Sequence, residues 1–352
     1  MNNRKILELI EYAREEGCSD IHLTVDLPPV FRKNGDIIVS DLGYSKEDVI
    51  EAILSMLDDK QKVQLDKMVD LDFAYTNPKG ERHRVNVYHQ KNSLCAAIRI
   101  LNEKIPSFGE INAPAALKSL VSEPRGLILV TGPTGSGKST TLATMIDYIN
   151  TNRKCHIITA EEPIEYIHDH KKSIVHQREV GVDVGSFAEA LRGALREDPD
   201  VILVGEMRDL ETISAAVTAA ETGHLVLSTL HTTGAANTID RIIDVFPPHS
   251  QAQIRTQLAG VLKGIITQQL VRKADGTGRT AAFEVLIGTD GLLNLIRENK
   301  GHQITSALQT GLNLGMYTLD YSLAQLVIDG IITREEALTH SSDKKQLLEY
   351  IN

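Results

Sequence analysis

Only three cysteines occur in 352 residues, and Cys18, Cys95 and Cys155 stand far apart with no C-x-x-C pair among them. That spacing excludes a disulfide framework and a four-cysteine zinc site, leaving small core or surface thiols. Long hydrophobic runs are missing as well. Nowhere does the chain approach the ~18 uninterrupted apolar residues of a spanning helix. Met1-Asn2-Asn3-Arg4-Lys5 leads into an amphipathic segment rather than a signal-peptide core, so a cytoplasmic protein is expected. Positive charge is in deficit, with 37 Lys and Arg against 47 Asp and Glu for a net charge of −10. This balance argues against a chain whose main task is gripping nucleic acid backbone, so no stable nucleic-acid partner is expected, although a local basic lining stays open.

What is present is an ordinary globular composition, 42% hydrophobic, over a length that suggests about two domains. Helical periodicity opens the chain at Ile6, Leu7, Ile10 and Ala13 and stops at Gly17. Strand-like runs follow at Ile21–Val25 and Phe31–Val39, punctuated by Pro28-Pro29 and Asn34-Gly35. Ser45 and Asp48 form an acidic variant of a capping box before the apolar Val49, Ile50, Ile53, Leu54 and Leu57. Beyond it, Asn77-Pro78-Lys79-Gly80 separates the strand-like Leu71–Tyr75 and Arg82–Gln90, and a last strand is expected over Cys95–Leu101. Residues 1–101 thus read as a small α+β domain and 102–112 as a linker. From Ala115 onward, short apolar strands alternate with helices, which predicts a parallel sheet covered on both faces in an α/β core over 113–290, with a helical region over 291–352.

Four of these strands end in phosphate-type chemistry. Leu127-Ile128-Leu129-Val130 leads into Gly132-Pro133-Thr134-Gly135-Ser136-Gly137-Lys138-Ser139-Thr140, which satisfies G-x-x-x-x-G-K-[ST] at every fixed position. The chemistry requires these residues. Glycines let backbone N–H groups turn inward around phosphate oxygens, the next helix adds its positive end, Lys138 reaches the β- and γ-phosphates, and Ser139 reaches Mg²⁺. ATP or ADP with Mg²⁺ is the expected ligand. His156–Thr159 leads to Glu161 and Glu162, Val201–Val204 to Gly205-Glu206, and Leu225–Leu230 to His231. Ligands of open α/β sheets bind outside the carboxyl ends of strands, so these residues converge on one nucleotide site.

The roles follow from what phosphoryl transfer needs: a metal, a water-orienting carboxylate and cations facing the transferred group. Glu206 is the metal-side or water-side carboxylate, with Ser139 as the other metal-side group. Glu161 is favoured over Glu162 as the residue that orients water, because adjacent side chains on extended backbone point opposite ways. His231 is a hydrogen-bond partner near the phosphates. It cannot share a metal with His224, since seven residues of strand separate the two by about 23 Å on opposite faces. Ser186 and Glu189 are expected to open a helix over Ser186–Arg196, whose Arg192 and Arg196 read as a solvated face. Arg82 and Arg84 share a face of one strand, and Arg99 lies in another. They are either a solvated sheet face or arginine fingers delivered to a neighbour's γ-phosphate.

These motifs resemble those of the secretion ATPases of type II secretion and type IV pili. The resemblance spans Ser19-Asp20-Ile21-His22-Leu23, Gly132–Ser139, Glu161-Glu162-Pro163-Ile164-Glu165, Asp198 through Asp209, Thr222-Gly223-His224 and His231-Thr232-Thr233. Gly205-Glu206, unusual for a generic ATPase, is typical of that family. The resemblance implies an N-terminal PAS-like α+β domain followed by a RecA-like P-loop ATPase domain with a C-terminal helical segment. It also implies a homohexameric ring with arginines such as Arg84 and Arg99 acting between subunits. A motor of this kind works peripherally at the inner face of the cytoplasmic membrane, with an inner-membrane pilus platform protein as partner. The longer N-terminal region and zinc module usual in assembly motors are not seen, which favours the retraction branch of the family. Ala160 and Glu162 depart from the usual Ile and Asp. Near the C-terminus Asn294–Glu298 matches the second half of a segment associated with retraction, while Leu292-Leu293 departs from its first half.

Overall fold

The computed structural model describes residues 4–33, 35–67, 70–101 and 104–352. Asn34 of the expected Asn34-Gly35 turn, residues 102–103 of the expected linker and residues 1–3 at the start lie outside them. The chain divides into two compact units, one running to Lys104 and including Pro163–Ile167, the other made of Ile105–Glu162 and His168–Asn352.

In the first unit six strands form an antiparallel sheet: β1 (Asp20–Leu23), β2 (Val30–Lys33), β3 (Asp36–Val39), β4 (Leu71–Thr76), β5 (Arg82–Gln90) and β6 (Ser93–Ile100). Their spatial order is β3-β2-β1-β6-β5-β4. Period-two alternation sends Val85 and Val87 of β5 and Ala96 and Ile98 of β6 inward, where they meet Ile6, Leu9, Ile10 and Ala13 of one helix and Val49, Ala52 and Ile53 of another. The Ser45–Asp48 capping box forms as expected. β6 begins earlier than the sequence suggests, because Lys91 and Asn92, both at positive φ, close a two-residue hairpin that lacks the usual Asn-Gly signal.

His83 shares the inward face of β5 and is fully buried with neither ring nitrogen hydrogen-bonded. Burial, reinforced by the nearby Arg14 charge, lowers its pKa from 6.5 to about 4. Protons therefore bind the unfolded chain first as pH falls through 6.5. Stability present at neutral pH is lost between pH 6.5 and 4, by on the order of 3 kcal/mol. Protection factors of β5 and β6 amides measured from pH 7 to 4 should show this loss, and His83→Leu should flatten it; an unchanged acid limb in the variant contradicts the assignment.

The second unit is built on seven strands in the order β13-β12-β7-β11-β10-β8-β9: β7 (Gly126–Thr131), β8 (His156–Glu161), β9 (Ile174–Glu179), β10 (Val201–Val204), β11 (Leu225–Leu230), β12 (Leu262–Arg272) and β13 (Arg279–Ile287). β7, β10 and β11 are buried at every position, which explains their uninterrupted apolar sequences. Alternate residues serve two cores. Leu127 and Leu129 pack toward the helices Leu210–Glu221, Ala235–Asp244 and Gln251–Val261, while Ile128 and Val130 pack toward the helix Lys138–Asn152. The sheet is parallel as expected except at one edge, where β13 runs antiparallel to β12. β12 follows the helix Gln251–Val261 without an intervening turn, so no break in the chain marks its start. The helix expected over Ser186–Arg196 is shorter, Phe187–Ala194, with Ser186 accepting the Glu189 N–H. Residues 291–352 belong to this same unit, where Leu319, Leu323, Ala337 and Leu347 pack on Val271 and Ala282 of the β12–β13 pair. Among the described residues no helix is long and apolar enough to cross a membrane.

Candidate nucleotide site

The loop leaving β7 is shaped by a strand more than a hundred residues away. Gly132 sits at φ +143, and a Cβ there would lie 2.2 Å from the Gln268 carbonyl oxygen of β12. Only glycine, which has no Cβ, fits there. Gln268 itself is buried; its Nε2 donates to the Ser136 carbonyl (2.8 Å) and its Oε1 accepts the Thr141 hydroxyl (2.7 Å). One side chain thus clamps the loop and the first turn of the following helix. Gly137, at φ +90, begins that helix without a side-chain cap, so the first N–H groups of Lys138–Asn152 are left for an anion. The Ser136 hydroxyl is buried inside the loop without a hydrogen-bond partner, and Ser139 is exposed at the helix start.

Lys138, Thr134, His231, Glu206 and Arg208 come together at the carboxyl ends of three neighbouring strands. Lys138 Nζ donates to the Gly132 and Pro133 carbonyls at 2.9 and 3.1 Å, which fixes the ammonium over the loop. It also lies 3.4 Å from His231 Nδ1, which is equally 3.4 Å from Thr134 Oγ1. An ammonium only donates, so Nδ1 is the accepting nitrogen and the proton belongs on Nε2, which donates to Glu206 Oε2 at 3.2 Å. The same oxygen takes Arg208 Nη2 at 2.7 Å. Burial pushes the Glu206 carboxyl up, but the hydrogen bonds from Arg208 and His231 and the Arg208 charge outweigh it and hold the pKa below the ordinary value. Arg208 is in turn held charged first by Glu206 and further by the field of Glu162.

Gly205 has a reason as well. A Cβ there would sit 3.3 Å from the Ala160 carbonyl and 3.4 Å from Glu161 Cα, so an aspartate would press on the neighbouring strand. The carboxylate stands one residue further along, at Glu206. Glu161 ends β8, two strands from β11, with Oε1 taken by Thr159 Oγ1 (2.7 Å) and Gln177 Nε2 (3.2 Å). His224 has a structural place, its Nδ1 2.9 Å from the Ala219 carbonyl at the end of a helix. Arg84 and Arg99 belong to the other unit, opposite one another in register on β5 and β6. Arg84 grips Asp72 with Nε (3.2 Å) and Nη2 (2.6 Å), and Arg99 Nε meets Asp20 at 3.1 Å. Arg192 pairs with Glu211 at 3.6 Å.

Mg²⁺ prefers hard oxygen ligands and keeps several from water and substrate phosphates. The Ser139 hydroxyl and the ionised Glu206 suit it. Two protein oxygen groups leave the remaining positions to water and nucleotide phosphates, so the donor set fits an ion that arrives with a nucleotide.

A phosphate-binding loop between a buried parallel strand and an uncapped helix, with a carboxylate at the end of a strand two places away, defines a P-loop nucleotide-binding protein of RecA-like architecture. The comparisons with known proteins narrow this class. Residues 83–313 match the family model described as type II/IV secretion system protein, and the chain belongs to that family. It is 49% identical over 333 residues to the type IV pilus retractation ATPase PilT of Pseudomonas aeruginosa, covering 94% of this chain and 96% of that one. A twitching motility protein of Neisseria gonorrhoeae is 47% identical over 91% of this chain and 86% of its own length. A crystal structure of the pilus retraction motor PilT with bound ADP superposes with a TM-score of 0.89 at 49% identity, covering 98% of this chain and 99% of that one. The family membership expected from the motifs is confirmed.

Two contributors were not foreseen from the sequence. Arg208 stood inside a quoted motif, two residues from Glu206, and its spacing was the available signal. Gln268 had no local signal at all.

Proposed function

We propose that this protein is an ATP-hydrolysing motor that powers type IV pilus retraction, acting as a homohexamer at the inner face of the cytoplasmic membrane on a platform protein of the pilus base. The observation that carries this reading is 49% identity across nearly the whole length of a retraction ATPase and of this chain, supported by a P-loop with Lys138 and Glu206 both in place. Loop and helix N–H groups bind the phosphates, and Lys138 faces the β- and γ-oxygens. Mg²⁺, when bound through Ser139 and the nucleotide, neutralises developing phosphate charge. Glu206 orients the attacking water, and the His231 Nε2–H fixes the carboxylate. Glu161 completes the polar lining on β8, while Arg84 and Arg99 serve a neighbour's γ-phosphate.

Deleting the gene in its own host and counting surface pili tests the reading. Abundant pili with lost twitching, restored by the wild-type gene and not by Lys138→Ala, is the expected result. Bald cells would make the protein an assembly motor instead.

A further inference from the structure

We propose that Glu284 is a positioning residue that links the His231 segment of the nucleotide site to the carboxyl-terminal helices. The inference rests on the ATPase reading for its kinetic consequence and on geometry for its substance. Glu284 lies on β13 opposite Thr267 of β12, which is itself opposite Thr131 of β7, the residue before Gly132. The two threonine hydroxyls are 2.9 Å apart. A single cross-strand row thus runs from the root of the phosphate loop to this carboxylate.

Glu284 Oε1 accepts the Ala235 N–H at 2.7 Å. Ala235 opens the helix Ala235–Asp244, four residues after His231, and Gly234 between them adopts φ +88. Thr232, one residue from His231, bonds through its hydroxyl to Thr238 of the same helix at 2.7 Å. A shift of His231 against Glu206 or Lys138 therefore pulls on a short segment anchored at Glu284. β13 is tied to the carboxyl-terminal segment on both sides of Glu284: Val285 exchanges backbone hydrogen bonds with Tyr317 (2.9 and 3.1 Å), and the Phe283 N–H donates to Ser322 Oγ (3.1 Å) in the helix Leu319–Ile328, which opens at Leu319. Asp320 beside it takes the Ser341 hydroxyl (2.6 Å) and the Ser342 and Asp343 N–H groups (2.9 and 3.0 Å), which carries the connection to the last helix, Lys344–Ile351.

A carboxylate receiving the first N–H of the ten-residue helix Ala235–Asp244 is favoured by that helix's dipole. Burial and the neighbouring Asp320 charge oppose the ionised form and raise its pKa, against the Ala235 N–H that lowers it. An apolar side chain would pack in its place, yet the start of that helix would then not be held to the strand whose neighbouring residues carry the carboxyl-terminal segment.

The full-length protein is compared with Glu284→Gln and Glu284→Ala. Both variants should bind a fluorescent ADP analogue within about threefold of the wild type, while kcat falls about tenfold or more in the alanine variant and less in the glutamine variant, which keeps one accepting oxygen. Folded variants with kcat within twofold of wild type, or with the whole effect in KM, would overturn the proposal. Hydrogen exchange on the unaltered chain gives an answer even if the variants fail to fold. Adding ADP should change protection at Ala235 and Leu319 together; a response at 231–236 with none at 318–320 sinks the link. A wild-type protein that binds ADP without hydrolysing ATP refutes the motor reading alone, and the exchange result still decides the link.

Discussion

Glu206→Gln should bind nucleotide nearly as the wild type does and hydrolyse it about 10²- to 10⁴-fold more slowly, the range expected when a positioned carboxylate is lost. The substitution is close to isosteric. Its carbonyl oxygen can still accept Arg208 at 2.7 Å and His231 at 3.2 Å, so the fold and the local hydrogen bonds survive while the charge disappears. Single-turnover hydrolysis alongside nucleotide titration separates the two effects, and turnover within tenfold of the wild type would remove Glu206 from the chemistry. Arg208→Gln probes the same carboxylate from the other side. Without Arg208, burial acts on Glu206 with less opposition, and its pKa rises. Because Glu206 works ionised, the acid limb of the pH–rate profile should move to higher pH, with activity lost first under mildly acidic conditions. A profile that stays put would mean that Arg208 does not tune this group.

How much of this was legible in the sequence depended on how local the cause was. The phosphate loop could be read residue by residue, because a tight turn, an inward N–H array and a lysine at fixed spacing are all demands on one short stretch. The strands leading to Glu161, Glu206 and His231 were legible for a related reason: central strands of a parallel sheet are buried on both faces and spell unbroken apolar runs. β12 and β13 were not expected. Their sequences carry polar residues such as Thr267, Gln268 and Glu284 inside the sheet, and these make sense only against the loop and helices they touch. Gln268 clamps Ser136 and Thr141 across more than 120 residues of chain, a contact that no spacing rule encodes. The choice between Glu161 and Glu162 was similarly a matter of three dimensions. Glu161 is held by Thr159 and Gln177, whereas the Glu162 field reaches Arg208 and through it Glu206.

Arg84→Ala should lower ATP turnover about 10³-fold if its guanidinium reaches a neighbour's γ-phosphate, the scale of a lost arginine finger. The structure supplies the competitor for that guanidinium. Arg84 is bound at two points to Asp72, and both side chains are well exposed, 36% and 44%. An exposed pair of this kind is worth about 0.2–1 kcal/mol, far less than a charge-assisted contact to phosphate in an enclosed site, so the pairing can give way. Asp72 then serves to keep the arginine extended along its strand between engagements. Action in trans has a decisive signature. Glu206→Gln subunits retain Arg84, and Arg84→Ala subunits retain Glu206, so mixing two nearly inactive preparations should restore hydrolysis at interfaces that combine the intact halves. Random 1:1 mixing places both halves together at about a quarter of the interfaces of a symmetric ring, which sets the recovery expected from independent sites. Subunit exchange must be verified by labelling one variant. Mixed rings no more active than either parent would show that Arg84 does not act between subunits.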